Sequence, residues 1–412
     1  MSVTSPPHPS PPPTTTSPTT TSSTISLPLL ITLALLSAAA PFATDLYLPA
    51  FPDMVSDLTT TTTGVQLSLT TFLIGAGIGQ VVFGPLSDRV GRRTPLIVGS
   101  ILYVLVGIGA AMAPTIGVLV ALRFLQGLFG AAGMVIGRAI ISDRAHGADA
   151  ARAFSLMMLV GGMAPIVAPV LGSVLTETIG WRGLLWIVVA LGVIAAVAVL
   201  VVVRETRTPE AIREEQTEGS TGVLRELTSR RYLGNALAYG FSFATMMAYI
   251  SASPFLYQDM MGLSTLQYGL AFALNATALA VVSAVAAKLA ARISAARLAG
   301  IGLGLNLLAI LVLLAMVLAD VTPVLLAAPI LVAVASLGLV LGNTTALALD
   351  SARHAPGAAS AVLGLLQFGL AGAVSPLVGI GGEQTALPLA VVMVVAAVVA
   401  CAGFAIASRR SR

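Results

Sequence analysis

Twelve apolar runs follow one another along the chain, near residues 27–49, 65–87, 95–113, 116–141, 153–176, 183–203, 232–257, 266–287, 294–318, 322–348, 357–380 and 385–407. Each approaches the roughly 20 residues that carry an α-helix across the hydrocarbon of a bilayer. Polar punctuation separates them: Asp53 to Thr63 after the first run, Asp143 to Arg152 after the fourth, Ser351 to Pro356 after the tenth. The longest break, Arg204 to Arg231, follows the sixth run and divides the pattern six and six. The expectation is an all-α membrane protein of twelve transmembrane helices in two six-helix halves. The N-terminal half covers 27–203, a central loop 204–231, and the C-terminal half 232–407. Residues 1–26, rich in Pro, Ser and Thr and without charge, read as a disordered tail that cannot bury a core. Residues 408–412 form a short basic tail. The first run begins late and lacks a basic start, so it reads as a retained span, not a cleaved leader.

Composition agrees with that pattern. Charged residues make up 9% of the chain, hydrophobic residues 57%, and the mean hydropathy is +0.97, too little charge to solvate a globular surface. The 21 Lys and Arg residues then set an orientation. With a cytoplasmic N-terminus, all but Arg123 and Arg182 fall in inner connections, tails or adjoining helix ends, while Asp53, Asp57, Glu177, Asp259, Asp320 and Glu383 lie in outer loops. Both termini are therefore expected to be cytoplasmic. A net charge of +4 spread in this way reflects topology and is too thin for a nucleic-acid groove. One cysteine, Cys401, and the scattered His8, His146 and His354 offer no metal site, and no cofactor is expected. The preference for Arg over Lys, with abundant Ala and Val, suggests a bacterial chain and hence a plasma membrane.

Chemistry is sought where hydrocarbon makes charge expensive, roughly 2.5–3.5 kcal/mol for a central Asp or Arg on insertion scales. Asp45 lies about a turn inside one end of span one, and Arg123 about two turns inside the same end of span four. If these spans face each other, the two charges come together as a proton-coupling pair; the plainer reading has Asp45 reaching headgroups and Arg123 holding the bundle. Between spans two and three, Gly79, Gly84, Asp88, Arg89, Gly91, Arg92 and Arg93 combine close-approach glycines with an ion-pair cluster able to form in one state and break in another. Pro165 and Pro169 with Gly172 bend span five and expose carbonyls to a cavity. For substrate, Tyr47, Gln126, Tyr239, Met246, Asn275, Asn343 and Gln367 supply aromatic, adaptable and hydrogen-bonding surface. The amides are the sharper candidates, because lipid would leave them unsatisfied.

Four of these segments carry a family resemblance. Gly84-x-Leu86-x-Asp88-Arg89-x-Gly91-Arg92-Arg93 resembles the loop between the second and third helices of the major facilitator superfamily. The run Ala43-Thr44-Asp45-Leu46-Tyr47-Leu48-Pro49 looks like the first-helix motif of its Bcr/CflA drug:proton antiporter subfamily. Arg123-Phe124-Leu125-Gln126-Gly127, continuing to Arg138-Ala139 and Asp143, is similar to that group's fourth-helix motif associated with proton transfer. Ala164-Pro165-Ile166-Val167-Ala168-Pro169-Val170-Leu171-Gly172 resembles the antiporter motif, followed by Trp181-Arg182-Gly183 and Arg204-Glu205-Thr206. The second copy of the loop motif has decayed to Lys288-Leu289-Ala290-Ala291-Arg292-Ile293, so the halves are unequal.

The resemblance implies a transporter, not an enzyme, exporting amphiphilic drug-like molecules such as chloramphenicol- or bicyclomycin-type antibiotics in exchange for protons. A proton-coupled carrier of a specific nutrient or metabolite is the alternative. Partners are then a small-molecule substrate, protons and surrounding lipid, with no nucleic acid, and a monomer is expected. The glycine-rich stretch around Gly75, Gly77 and Gly79 lacks the Lys-Ser/Thr of a phosphate loop, which speaks against ATP-driven transport.

Overall fold

The computed structural model describes residues 26–145, 147–206, 223–352, 356–380, 382 and 385–408. Among them every regular element is helical. That follows from the solvent: a lipid-facing chain must satisfy its backbone groups within each segment. Ten stretches are long and apolar enough to cross a membrane. One of them, Leu159–Val202, is 44 residues long and breaks at Gly180, whose φ of 63° lies outside helical space, so it supplies two spans. The helix Arg230–Pro254 has the length but buries Asn235, Ser242, Thr245, Ser251 and Ser253, which lowers its apolarity below that of the others. With these the count is twelve.

We number the spanning helices α1 (Leu27–Asp45), α2 (Thr62–Val90), α3 (Arg93–Ala111), α4 (Ile116–Arg144), α5 (147–179) and α6 (181–202) in the first half. The second half holds α7 (Arg230–Pro254), α8 (Thr265–Leu289), α9 (Ala295–Leu318), α10 (Ala327–Asp350), α11 (Pro356–Val374) and α12 (Leu387–Ser408). Serine or threonine side chains start five of them: Thr61, Thr115, Ser229, Ser264 and Ser294 each accept from a backbone N–H one turn on. They satisfy donors that the first turn leaves over.

Two expectations about the first span change. Its helix does not run evenly to residue 49 but ends at Asp45, passes through a 3-10 turn at Leu48–Ala50, and resumes as a short helix Phe51–Asp57. Pro49 and Pro52 impose the break, since neither has an N–H to donate. The predicted tail at 1–26 and most of the central loop lie outside the described residues; within the latter, Val223–Leu227 is a short helix.

Within the first half α2 packs on α4, α1 on α5, and α3 on α4 and α6. The α2–α4 crossing is the tightest: a Cβ at Gly75 or Gly79 would overlap the carbonyl oxygens of Phe124 or Leu128, and one at Gly127 would overlap that of Phe72. Small residues let these backbones approach to van der Waals contact. In the second half α7 packs on α12, α10 and α11, α9 on α10 and α12, and α8 on α10. Outward surfaces are apolar, as at Leu105, Val201, Leu308 and Val395, and polar side chains such as Gln66, Asn235 and Asn306 are turned inside.

The halves meet along two seams, α2 with α11 and α5 with α8. Helices α1 and α4 make no substantial contact with α7 or α10, so a cleft separates these four. One end of the molecule carries Arg89, Arg92, Arg93 and Arg144 and is called the basic end below. At the opposite end the halves are bonded directly: Gln66 donates to the Ser251 carbonyl (3.1 Å), Gln258 to the Pro49 carbonyl (2.9 Å), and the Phe51 and Phe255 rings lie 6.1 Å apart. Toward the basic end exposure rises on both sides, at Leu159, Val160 and Met163 of α5 and at Val281 and Val285 of α8.

Candidate functional site

Asp45 occupies the break in the first span, 4% exposed and without a cationic partner among the described residues. Thr44 Oγ1 lies 2.8 Å from its Oδ1 and can donate there. The same hydroxyl is also within reach of the Ala40 and Pro41 carbonyls (3.2 and 3.1 Å), and its one proton serves one acceptor at a time. Across the seam Asp45 interacts electrostatically with Tyr268 of α8. Tyr268 is sealed beside Ser253 (3.2 Å), in a cluster with Tyr257, Phe272 and Tyr249. Asn275 belongs to that cluster: its Nδ2 reaches the Tyr257 hydroxyl (3.2 Å) and the Ala271 carbonyl (2.9 Å), and the buried Tyr249 hydroxyl lies among the same groups.

Arg123 lies alongside but does not pair with Asp45, and the expected ion pair is absent from the described residues. Its Nη1 donates to Gln126 Oε1 (2.7 Å) and its Nη2 to the Ala43 carbonyl (2.6 Å). The guanidinium is fully buried, 4.8 Å from the Tyr47 ring centre and 4.4 Å from that of Phe72. Stacking and two short bonds offset part of the cost of a desolvated cation that has no carboxylate, while its Nε stays buried without a hydrogen-bond partner among the described residues. The physical reason for the difference is direction: α1 turns its carbonyl at Ala43, not the Asp45 side chain, toward α4. Arg123 therefore fastens the backbone two residues before Asp45.

At the basic end, Arg92 is buried and binds three side chains: Nη1 donates to Ser87 (2.7 Å) and Asp88 (2.6 Å), and Nε to Asp143 (3.0 Å). Glu205, at the end of α6, accepts from the backbone N–H groups of Arg92 (2.8 Å) and Arg93 (3.0 Å), placing a carboxylate on the first turn of α3. Thr206 Oγ1 donates to Asp143 (2.8 Å). Gly91, at φ 93°, makes the turn that exposes those N–H groups, and a Cβ there would press on Glu205. The partners described belong to the first half and to the start of the loop that follows it. Arg89 and Arg93 are exposed, and Gly84 has only ordinary contact with Val135. Gly79 packs within the first half, and it is Gly77 that faces Phe368 of the other.

Helix α5 touches both halves. A Cβ at Gly172 would overlap the Leu46 carbonyl oxygen, and Pro169 and Ser173 lie against Gly269 of α8. Pro165, further toward the basic end, is half-buried.

The seven substrate candidates separate. Tyr47, Gln126 and Asn275 are sealed in packed interior: Tyr47 reaches Ser68 (3.0 Å), and Gln126 serves Arg123. Tyr239, Met246, Asn343 and Gln367 are half-buried, and Tyr239 donates to Gln367 Oε1 (2.6 Å). Asn343 Nδ2 turns back to the Leu339 carbonyl (2.8 Å). Sequence reasoning passed over the groups supplied by neighbouring elements, namely Ser87, Ser253, Tyr268 and the end-bonds of Gln66 and Gln258. No sequence spacing links these to their partners, which lie up to 209 positions away.

The comparisons fit this architecture. The family model described as Major Facilitator Superfamily matches residues 33–376. "Uncharacterized MFS-type transporter YdgK" of Bacillus subtilis (strain 168) is 36% identical over 386 residues, 92% of this chain and 94% of that one. "Bicyclomycin resistance protein homolog" of Haemophilus influenzae is 27% identical over 87% of this chain and 91% of its own. "Chloramphenicol resistance protein" of Pseudomonas aeruginosa is 32% identical over 58% of this chain and 57% of its own. Two solved structures share the fold: a bacterial homologue of the human lysosomal transporter Spinster, inward-facing and occupied (TM-score 0.72, 16% identity, 93% and 97% coverage), and a D-xylose-proton symporter (TM-score 0.70, 15% identity, 90% and 97%). A twelve-helix, two-halved bundle with this charge cluster at its basic end, matched over most of its length, is a multi-pass membrane transporter, and the chain belongs to the major facilitator superfamily.

Proposed function

We propose that the protein exports amphiphilic, drug-like molecules in exchange for protons, with Asp45 as the proton carrier. The observation that carries this reading is a carboxylate sealed at a helix break, facing the opposite half with no cation to neutralise it among the described residues. A buried charge without an ion partner is costly, so protonation state and conformation must influence each other. Relatives named for bicyclomycin and chloramphenicol resistance support the drug-like substrate.

With the basic end in the cytoplasm, the described state is closed outside by Gln66, Gln258 and the Phe51–Phe255 contact and is accessible from within. Ionised Asp45 accepts from Thr44. Once protonated it becomes a donor, and the Thr44 hydroxyl can turn to the Ala40 or Pro41 carbonyl. Rocking of the halves parts Asp45 from Tyr268 and admits a proton from outside. Each proton moving inward gains about 2.3 kcal/mol per 100 mV of membrane potential. Arg123 positions the break through Ala43, and the Arg92–Asp88–Asp143 cluster keeps the first half rigid while it moves.

The test is uptake of bicyclomycin and chloramphenicol into energised inverted vesicles with lumen pH recorded together. Substrate-dependent release of lumenal protons, lost in Asp45→Asn while the protein remains folded, is expected. Full proton-coupled export by Asp45→Asn would sink the assignment. Flux of a nutrient with no flux of either antibiotic would move the protein to specific carriage.

A further inference from the structure

Among the described residues the cleft presents an accessible charge inside the end of a spanning helix. Arg138 lies on α4 six residues before the helix ends at Arg144, about 9 Å along the axis. From sequence it counts among the charges of the basic loops. In the structure it is exposed on α4, and its electrostatic interaction reaches Tyr239 of α7 across the gap between those two helices. Its Nε donates to the Met134 carbonyl (3.1 Å), which lays the side chain along its own helix. No carboxylate pairs with it among the described residues. The residue is exposed, whereas Asp45 and Arg123 are sealed.

The opposite wall is of a different chemistry. Tyr239, Phe243 and Phe368 form a row of rings with centres 6.5 and 6.3 Å apart, and the Tyr239 hydroxyl is held by Gln367. Met246 is half-buried on the same helix as Tyr239 and Phe243. An anchoring basic residue needs only to reach headgroups or water. One that faces an aromatic wall across a cleft attracts anions, because low-dielectric walls focus the field of a charge they flank. Its planar fork suits a carboxylate better than a lysine ammonium would.

We propose that Arg138 is the anion-recognising residue of the cleft, and that aromatic amphiphiles bearing a carboxylate or equivalent anionic group are carried in addition to the uncharged antibiotics of the vesicle test. The proposal depends on the export reading for the direction of movement alone; recognition at the cleft does not involve the proton.

Binding of three probes with one naphthalene body tests it: 2-naphthylacetate, its neutral amide, and 2-(2-naphthyl)ethylamine, titrated against the full protein in lipid nanodiscs. The acid is expected to bind at least about ten-fold more tightly than the amide, as a charge-assisted hydrogen bond implies, with the amine weakest. In Arg138→Ala and Arg138→Gln the acid-to-amide ratio falls to near one, and Arg138→Lys restores part of it. Both neutral variants are read because either could fold poorly, and gel filtration reports which is intact. Equal affinities for the three probes, no acid binding at millimolar concentration, or an unchanged ratio without the guanidinium would overturn the proposal. Because no proton is measured, loss of coupling in the vesicle assay leaves this result standing, and a failure here leaves proton exchange at Asp45 untouched.

Discussion

Three charged residues that stand apart in sequence acquire three different fates from what surrounds them. Asp45 is buried without a cation, Arg123 is buried with neutral acceptors and rings, and Arg138 is accessible in the cleft. Arg123→Lys tests the second of these. An ammonium keeps the charge but cannot span Gln126 Oε1 and the Ala43 carbonyl with one planar fork. We expect a loss of about 1–3 kcal/mol, the range for hydrogen bonds to a charged group, seen as a lower unfolding temperature in detergent. An unchanged temperature would mean that ring stacking and charge suffice. That Asp45 and Arg123 are charges within apolar spans was legible in the sequence, because charge inside an apolar run stands out. Their lack of an ion pair was not, since side-chain direction across two helices depends on the rotation of both. For the same reason the face that Arg138 occupies was not legible, although its distance from the run's edge was.

Helix boundaries were largely legible. Runs expected near 294–318 and 385–407 fold as Ala295–Leu318 and Leu387–Ser408. What sequence missed are features in which neighbours outweigh local signals: the break at Asp45, the resumed helix Phe51–Asp57, and the continuation of α4 through Arg144. The resumed helix is held at its end by Asp57, which accepts from Trp181 Nε1 (2.9 Å) and pairs with Arg182, while Arg182 also donates to the Ala113 carbonyl (3.3 Å). Glycines that look alike in sequence divide equally sharply. Gly172→Ala should lower stability by about 1–3 kcal/mol through overpacking against the Leu46 carbonyl. Gly162→Ala, with nothing within 4 Å of the new methyl, should be neutral or stabilising. Thermal unfolding of the two variants in the same detergent checks the contrast, and equal destabilisation would mean that α5 is not seated on α1 as described.

At the scale of the molecule, conformational change requires that the end bonded by Gln66, Gln258 and the Phe51–Phe255 contact come apart. With Cys401 replaced by Ser, cysteines at 66 and 251 joined by a short bismaleimide should abolish transport. Probe binding from the basic end should survive, because that end is already accessible. Transport that persists after complete cross-linking would show that these residues remain together through the cycle. The charge cluster around Arg92 makes a complementary statement. Its described bonds run within the first half and to the loop that follows it, so they stiffen that body.

The sequence by itself determined the membrane setting, the succession of helices, the six-and-six pattern and the rarity of buried charge. These follow from local hydropathy and from the requirement that lipid-exposed backbone bond to itself. Only the tertiary structure decided that Arg123 holds a carbonyl instead of Asp45, that Tyr47, Gln126 and Asn275 are sealed, and that Arg138 faces a cleft. Those outcomes depend on which faces of distant helices meet, and that is settled by packing over the whole bundle, where a rotation of one residue moves a side chain by about 100° around its helix.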